Sequence, residues 1–96
     1  MNDQLNTPQQ NRVLMIIKEA KKINNDKDYD VIQMGIDELE KAEGYEQTKE
    51  AVMSLTGYIK FRGGYVGRIE YLWAELMAYT SMFMAAKYHN KSAQVY

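Results

Sequence analysis

The chain has 96 residues, no cysteine and a formal net charge of −1, so a single domain over residues 1–96 is expected. Without cysteine it has neither disulfide bonds nor thiolate metal ligands, which fits a reducing, cytoplasmic compartment. Residues 1–4 are polar and begin no apolar run, so a secretory signal peptide is not expected.

Charged and aromatic side chains are distributed unevenly along the chain. Residues 1–50 carry 11 acidic and 7 basic side chains, whereas residues 51–96 carry 2 acidic and 5 basic ones. Nine of the eleven aromatic residues lie at or after Tyr58. This asymmetry is typical of a nucleic-acid or membrane surface. It is equally expected if the acidic half packs on the basic half or on a neighbouring subunit.

The first predicted element is a helix that begins near Thr7 and ends at Asn24–Asn25. Thr7 is expected to cap it, with Pro8 at the first helical position and Gln10 three residues after the cap. One face carries apolar side chains at helical spacing, namely Val13, Ile16, Ile17, Ala20 and Ile23. Near its C-terminal end the helix carries lysines that interact favourably with the helix dipole, namely Lys18, Lys21 and Lys22.

Two further helices are predicted after it. The second is capped by Asp26 or Asp28 and ends at Gly44. Its apolar stripe consists of Tyr29, Ile32, Ile36 and Leu39. The third begins near Tyr45, and its apolar residues are Ala51, Val52, Leu55 and Ile59.

Residues 57–67 contain four glycines and have two interpretations. Either a helix is broken at the pair Gly63–Gly64, or the β-propensity on both sides of Arg62 produces a short β-hairpin that closes there. The sequence leaves both open. The predicted fold class is therefore all-α, with three or four helices, a long C-terminal helix and this hairpin as an alternative at 57–67.

The last predicted helix extends from Tyr65 or Arg68 to about Tyr88 and is apolar almost all the way round. Such a helix is buried on several sides, and three short helices can cover only part of it. The remainder is expected to contact a second copy in a homo-oligomer, or a protein partner. The predicted interface residues are Ile69, Leu72, Trp73, Leu76, Met77 and Phe83. A membrane span is not expected, because a span needs ~20 apolar residues and Glu75 interrupts this stretch.

No pattern for catalysis, metal binding or cofactor binding is present, so an enzyme is not expected. His89 is the only histidine, and a metal or catalytic site needs further groups near it. The alternating Asp26, Asp28 and Asp30 lack the glycine and distal glutamate of a calcium loop. Residues 63–67 lack the pattern of a phosphate-binding loop.

Residues 58–68 are the most suggestive stretch, because three cations alternate there with three aromatic residues around flexible glycines. These six residues are Lys60, Arg62 and Arg68, with Tyr58, Phe61 and Tyr65. Single-stranded nucleic acid is bound by this combination, since cations contact phosphates and each aromatic ring stacks on a base for ~1–3 kcal/mol. In the alternative interpretation Phe61, Tyr65 and Val66 belong to the core, and the cations form a solvated face.

Residues 68–79, with the sequence RIEYLWAELMAY, and the continuation to Lys87 resemble the late helix of small helical phage proteins, the recombination mediators of the UvsY type. Members of that family are oligomeric helical proteins that bind single-stranded DNA and help to load a recombinase. The resemblance implies oligomerisation through the long helix. It also implies a basic strand-binding surface near Arg62 and Arg68.

A second resemblance concerns architecture. Residues 6–14 are similar to the opening helix of winged helix-turn-helix domains, and residues 52–72 are similar to the end of a recognition helix followed by a wing. The helix from Glu46 to Leu55 would then enter the major groove, although its Glu46 and Glu50 repel phosphates.

A third class is a small inhibitor or adaptor that binds a protein through its apolar helix and the acidic residues in 26–30 and 37–46. Among the three classes, the sequence favours a non-catalytic nucleic-acid accessory protein for DNA recombination or replication. We expect it to bind single-stranded DNA as a helical oligomer.

Overall fold

The computed structural model describes residues 4–24 and 31–79. Within these two ranges the chain forms four helices and no strand. The helices are α1 (Thr7–Ile23), α2 (Val31–Lys41), α3 (Gly44–Phe61) and α4 (Gly67–Met77). The predicted all-α class is confirmed for this part of the chain. No helix in it is long and apolar enough to cross a membrane.

The β-hairpin considered for residues 57–67 is not formed. α3 continues without a break to Phe61, because Ile59 extends the buried stripe of Leu55 by one helical turn. Packing of this stripe outweighs the β-propensity of the aromatic residues nearby. The chain then turns at Gly63–Gly64, as the helix-break interpretation predicts.

The C-terminal helix is shorter than predicted over the residues that the structure describes. α4 ends at Met77, and the N–H of Tyr79 donates to the carbonyl of Leu76 at 3.0 Å. This i→i−3 bond tightens the last turn and ends the regular α-helix. The rest of the predicted helix, residues 80–88, lies outside the described residues. The predicted caps of the second helix lie outside them as well.

The N-terminus of α1 begins one residue earlier than predicted, because Asn6 and not Thr7 is the capping residue. The side-chain oxygen of Asn6 accepts from the N–H of Gln9 at 2.9 Å, and the side-chain oxygen of Gln9 accepts from the N–H of Asn6 at 3.0 Å. These reciprocal bonds are a capping box. Pro8 lies in the first turn, and Asn24 caps the other end of the helix, as predicted.

The four helices pack together, with α1 mainly on α4 and α2 mainly on α3. The shared core contains Ile16, Ile17, Ala20, Ile32, Ile36, Leu39, Ala51, Val52, Leu55, Ile59, Val66, Ile69 and Leu72. The contact between α3 and α4 is smaller. It includes stacked rings of Tyr45 and Trp73, whose centroids are 5.8 Å apart. All apolar positions predicted for the third helix are in this core.

α1 and α4 are also joined by polar side chains at one end of the bundle. Gln9 is 1% exposed, and its amide nitrogen donates to the carbonyl of Leu76 at 3.3 Å. The amide nitrogen of Asn6 donates to the carbonyl of Tyr79 at 2.7 Å. Arg12 pairs with Glu75 at 3.0 Å. The capping box of α1 therefore also satisfies carbonyls at the end of α4, which are unpaired acceptors in an isolated helix.

The opposite end of the bundle carries the turn between α3 and α4. The N–H of Gly63 donates to the carbonyl of Lys60 at 2.9 Å, and the N–H of Gly64 donates to the carbonyl of Ile59 at 2.8 Å. These two bonds define a Schellman motif, which places its first residue after the cap in the left-handed region. Gly63 has φ +81°, a conformation that favours glycine at this position.

We expect Gly63→Ala to lower the free energy of unfolding by about 1 kcal/mol, because an L side chain is strained at this backbone conformation. A Cβ at this position meets no atom within 4 Å, so the loss arises from the backbone alone. Urea unfolding, followed by circular dichroism, measures this loss in the free energy of unfolding. Gly57→Ala is the matched control and should raise stability by ~0.5–1 kcal/mol, since Gly57 lies in α3 with equally open space. Equal stability of the two variants would contradict the assignment.

Candidate nucleic-acid interface

Two aromatic rings are exposed at the α3–α4 turn. Phe61 is 84% exposed and Tyr65 is 80% exposed. Phe61 follows the buried Ile59 by two residues, which is ~200° around a helix, so it points to the opposite side. Val66 is 6% exposed and packs in the core. The alternative interpretation that placed all three residues in the core is therefore right only for Val66.

The three predicted cations of this turn are all exposed, namely Lys60, Arg62 and Arg68. Lys60 pairs with Glu70 at 3.3 Å, and both side chains are more than half exposed. The Arg68 guanidinium lies 5.7 Å from the ring centroid of Tyr71, within cation–π range. Tyr71 is itself 56% exposed. The turn thus combines exposed rings and exposed cations on one end of the bundle.

Tyr58 differs from the other predicted aromatic residues. Its ring is half-buried against the core and lies close to Gly35 of α2. It belongs to the contact between α2 and α3, so we do not assign it to the exposed surface. The surface that we call the turn surface consists of Lys60, Phe61, Arg62, Tyr65, Arg68 and Tyr71.

A shallow groove of about 230 Å³ adjoins this surface between α1 and α4. Arg68 lines it together with Lys18 and Lys22 of α1. From the sequence, both lysines are expected only to interact with the dipole of α1. Their spacing of four residues does place them on one helix face, but their position opposite Arg68 depends on the packing of α1 against α4. Residue spacing alone could not have revealed it.

Comparison with known protein families, curated proteins and solved structures gives no match. The resemblance of residues 68–79 to recombination mediators therefore stays a prediction. The arrangement of the described residues is the remaining guide to function.

Half of the residues in the predicted oligomer interface lie inside the monomer. Ile69, Leu72 and Leu76 are each at most 1% exposed, because α1 and the other helices already cover this side of α4. Trp73 is half-buried and stacks on Tyr45. Met77 is 42% exposed, and Phe83 lies outside the described residues. The three buried residues are thus corrected to core positions, and Met77 is the described member of the set that is exposed.

The winged helix-turn-helix interpretation does not fit the described structure. The predicted recognition helix, Glu46 to Leu55, is an inner part of the longer α3. The predicted wing would need two strands in residues 57–67, and those residues contain none. The α3–α4 turn occupies that position instead.

The acidic residues of the adaptor interpretation are partly engaged within the chain. Glu40 pairs with Lys21 at 3.4 Å, and Asp37 accepts a hydrogen bond from Gln33 at 3.0 Å. Those in residues 26–30 lie outside the described residues, as does His89. Among the residues that are described, no three His, Asp or Glu side chains are grouped closely enough to hold a metal ion. The adaptor interpretation stays a prediction.

Proposed function

We propose that this chain is a non-catalytic accessory protein that binds single-stranded DNA through the turn surface. One observation supports the proposal most directly: Phe61 and Tyr65 are more than three-quarters exposed and are interspersed with cations. A small domain gains stability by burying such rings. Leaving two of them at one exposed turn favours a role in binding.

The chemistry of the turn surface suits a single strand better than a duplex. Aromatic rings stack on bases that are unpaired and accessible, for ~1–3 kcal/mol per base. Arg62 and Arg68 supply guanidinium groups for phosphate oxygens. The ion pair between Lys60 and Glu70 is exposed, and exposed pairs are worth at most ~1 kcal/mol, so a phosphate can compete for Lys60.

The test is fluorescence anisotropy of a labelled single strand of ~30 nucleotides, titrated with the protein at low and moderate salt. We expect binding that weakens as salt rises, because bound phosphates release counterions. Phe61→Ala/Tyr65→Ala should weaken binding on the order of 100-fold through the loss of two stacking contacts. Since both rings are exposed, we expect unchanged helicity by circular dichroism.

The matched control is Met34→Ala/Met53→Ala, which truncates two exposed apolar side chains outside the turn surface. This variant should bind as the wild type does. If the wild type shows no binding at low salt, the proposed function is wrong. If the strand binds and the Phe61→Ala/Tyr65→Ala variant matches the methionine control, the protein binds nucleic acid elsewhere.

We also propose that the protein self-associates and that it acts in DNA recombination or replication. Met77, at 42% exposure, is the described residue of the predicted interface that is still open to a second copy. Light scattering of the free protein and of its complex with the strand measures the subunit number. A monomer in both samples would contradict the oligomeric part of the proposal and leave strand binding intact.

A further inference from the structure

We infer that the groove between α1 and α4 binds a backbone phosphate of the strand, so that Lys18 and Lys22 form part of the interface. This inference rests on the proposed function and extends it to a second helix. Arg68 connects the turn surface to the groove, because it belongs to the turn surface and also lines the groove.

Three cationic residues line this groove, namely Lys18, Lys22 and Arg68. Among the described residues, no acid forms an ion pair with Lys18 or Arg68. Three cations around one depression attract an anion that presents several oxygens, and a phosphodiester does so.

One acidic side chain in the groove opposes the binding of an anion. Glu19 lines the same groove and pairs with Lys22 at 3.7 Å. This pair is long, and the Lys22 side chain is 69% exposed, so water already competes for it. Exposed pairs contribute at most ~1 kcal/mol, and a phosphate that contacts Lys18 and Arg68 together can displace the Glu19 contact.

The groove also continues the turn surface. Tyr65 and Arg68 are separated by three positions in the chain, and the Arg68 guanidinium lies over the ring of Tyr71. A strand whose bases stack at the turn would pass its backbone across Arg68 and onto α1. The apolar side chains of Met15 and Leu72 complete the lining of the groove.

The experiment compares Lys18→Gln/Lys22→Gln with Lys21→Gln/Lys49→Gln in the same anisotropy titration, at four or more salt concentrations. Both variants lower the net charge by the same amount. Lys21 does not line the groove and pairs with Glu40 of α2, and Lys49 is exposed on α3. If the groove binds one backbone phosphate, the first variant should reduce the slope of log K against log salt by about 0.7, the value for one phosphate contact on a single strand.

The control variant should keep the wild-type slope within about 0.3, because each phosphate contact is worth ~0.7. The two lysine variants could instead give equal slopes while the strand still binds and Phe61→Ala/Tyr65→Ala still weakens that binding. This result would overturn the inference about the groove and leave the proposed function intact. Failure of the wild type to bind any strand would overturn the proposed function and this inference together. Thermal unfolding of each variant verifies that the substitutions leave the fold intact.

Discussion

Gly35→Val should strongly lower the free energy of unfolding of the protein. Gly35 lies in α2, where the backbone approaches α3 so closely that an added Cβ would lie 2.9 Å from Leu55 Cδ1 and 3.3 Å from Leu55 Cα. Leu55 is fully buried, and its backbone cannot move without displacing α3. Overpacking a core contact costs ~1–3 kcal/mol, and valine adds two more methyl groups. We expect a loss on the order of 3 kcal/mol, measured by urea unfolding.

Gly57→Val is the matched control for this experiment. Gly57 lies in α3, and a Cβ there would meet no atom within 4 Å. Valine has a slightly better helix propensity than glycine, so this variant should be as stable as the wild type or slightly more stable. A Gly35→Val variant with wild-type stability would show that α2 and α3 are not in close contact at Gly35.

Gln9→Met should lower the free energy of unfolding by about 2 kcal/mol. Methionine preserves the volume of this buried side chain and removes two hydrogen bonds. The N–H of Asn6 loses its acceptor. The carbonyl of Leu76 loses the amide of Gln9 as a donor but keeps the N–H of Tyr79 at 3.0 Å. A backbone group left without a partner costs ~1–3 kcal/mol, and the capping box is lost as well.

Gln10→Met tests the alternative that replacing any glutamine at the start of α1 by methionine lowers the free energy of unfolding. Gln10 is exposed, and its amide nitrogen donates to the carbonyl of Leu5 at the surface. We expect a change within ~0.5 kcal/mol, as is usual for surface substitutions. Urea unfolding of both variants, followed by circular dichroism, decides the question. Equal losses in the two variants would exclude a special role of the buried Gln9.

The helix faces were predictable because they depend on local spacing. Ile32, Ile36 and Leu39 are buried on α2 at the positions that a 3.6-residue period indicates. The ends of the helices were less predictable, because several polar residues can cap the same turn. Asn6 and Thr7 are both acceptable caps by residue type, and the hydrogen bonds from Asn6 and Gln9 to distant carbonyls favour Asn6.

The composition of the candidate site was predictable, but its shape was not. Three cations and several aromatic residues stand together in residues 58–68, so the sequence indicates a binding surface there. Whether Phe61 or Tyr58 faces solvent depends on which side of α3 meets Gly35. The contribution of Lys18 depends on residues 50 positions away in the chain, and no local pattern contains that information.

The hydrogen bond from Asn6 to the carbonyl of Tyr79 joins residues 73 positions apart. Closing a loop of that length costs on the order of 4 kcal/mol of chain entropy, whereas the short connection between α2 and α3 costs much less. The α2–α3 pair can therefore form from neighbouring sequence. The α1–α4 contact becomes available only when both ends of the described chain have come together. That contact makes the fold cooperative, because a change at either end removes stability from both helices at once.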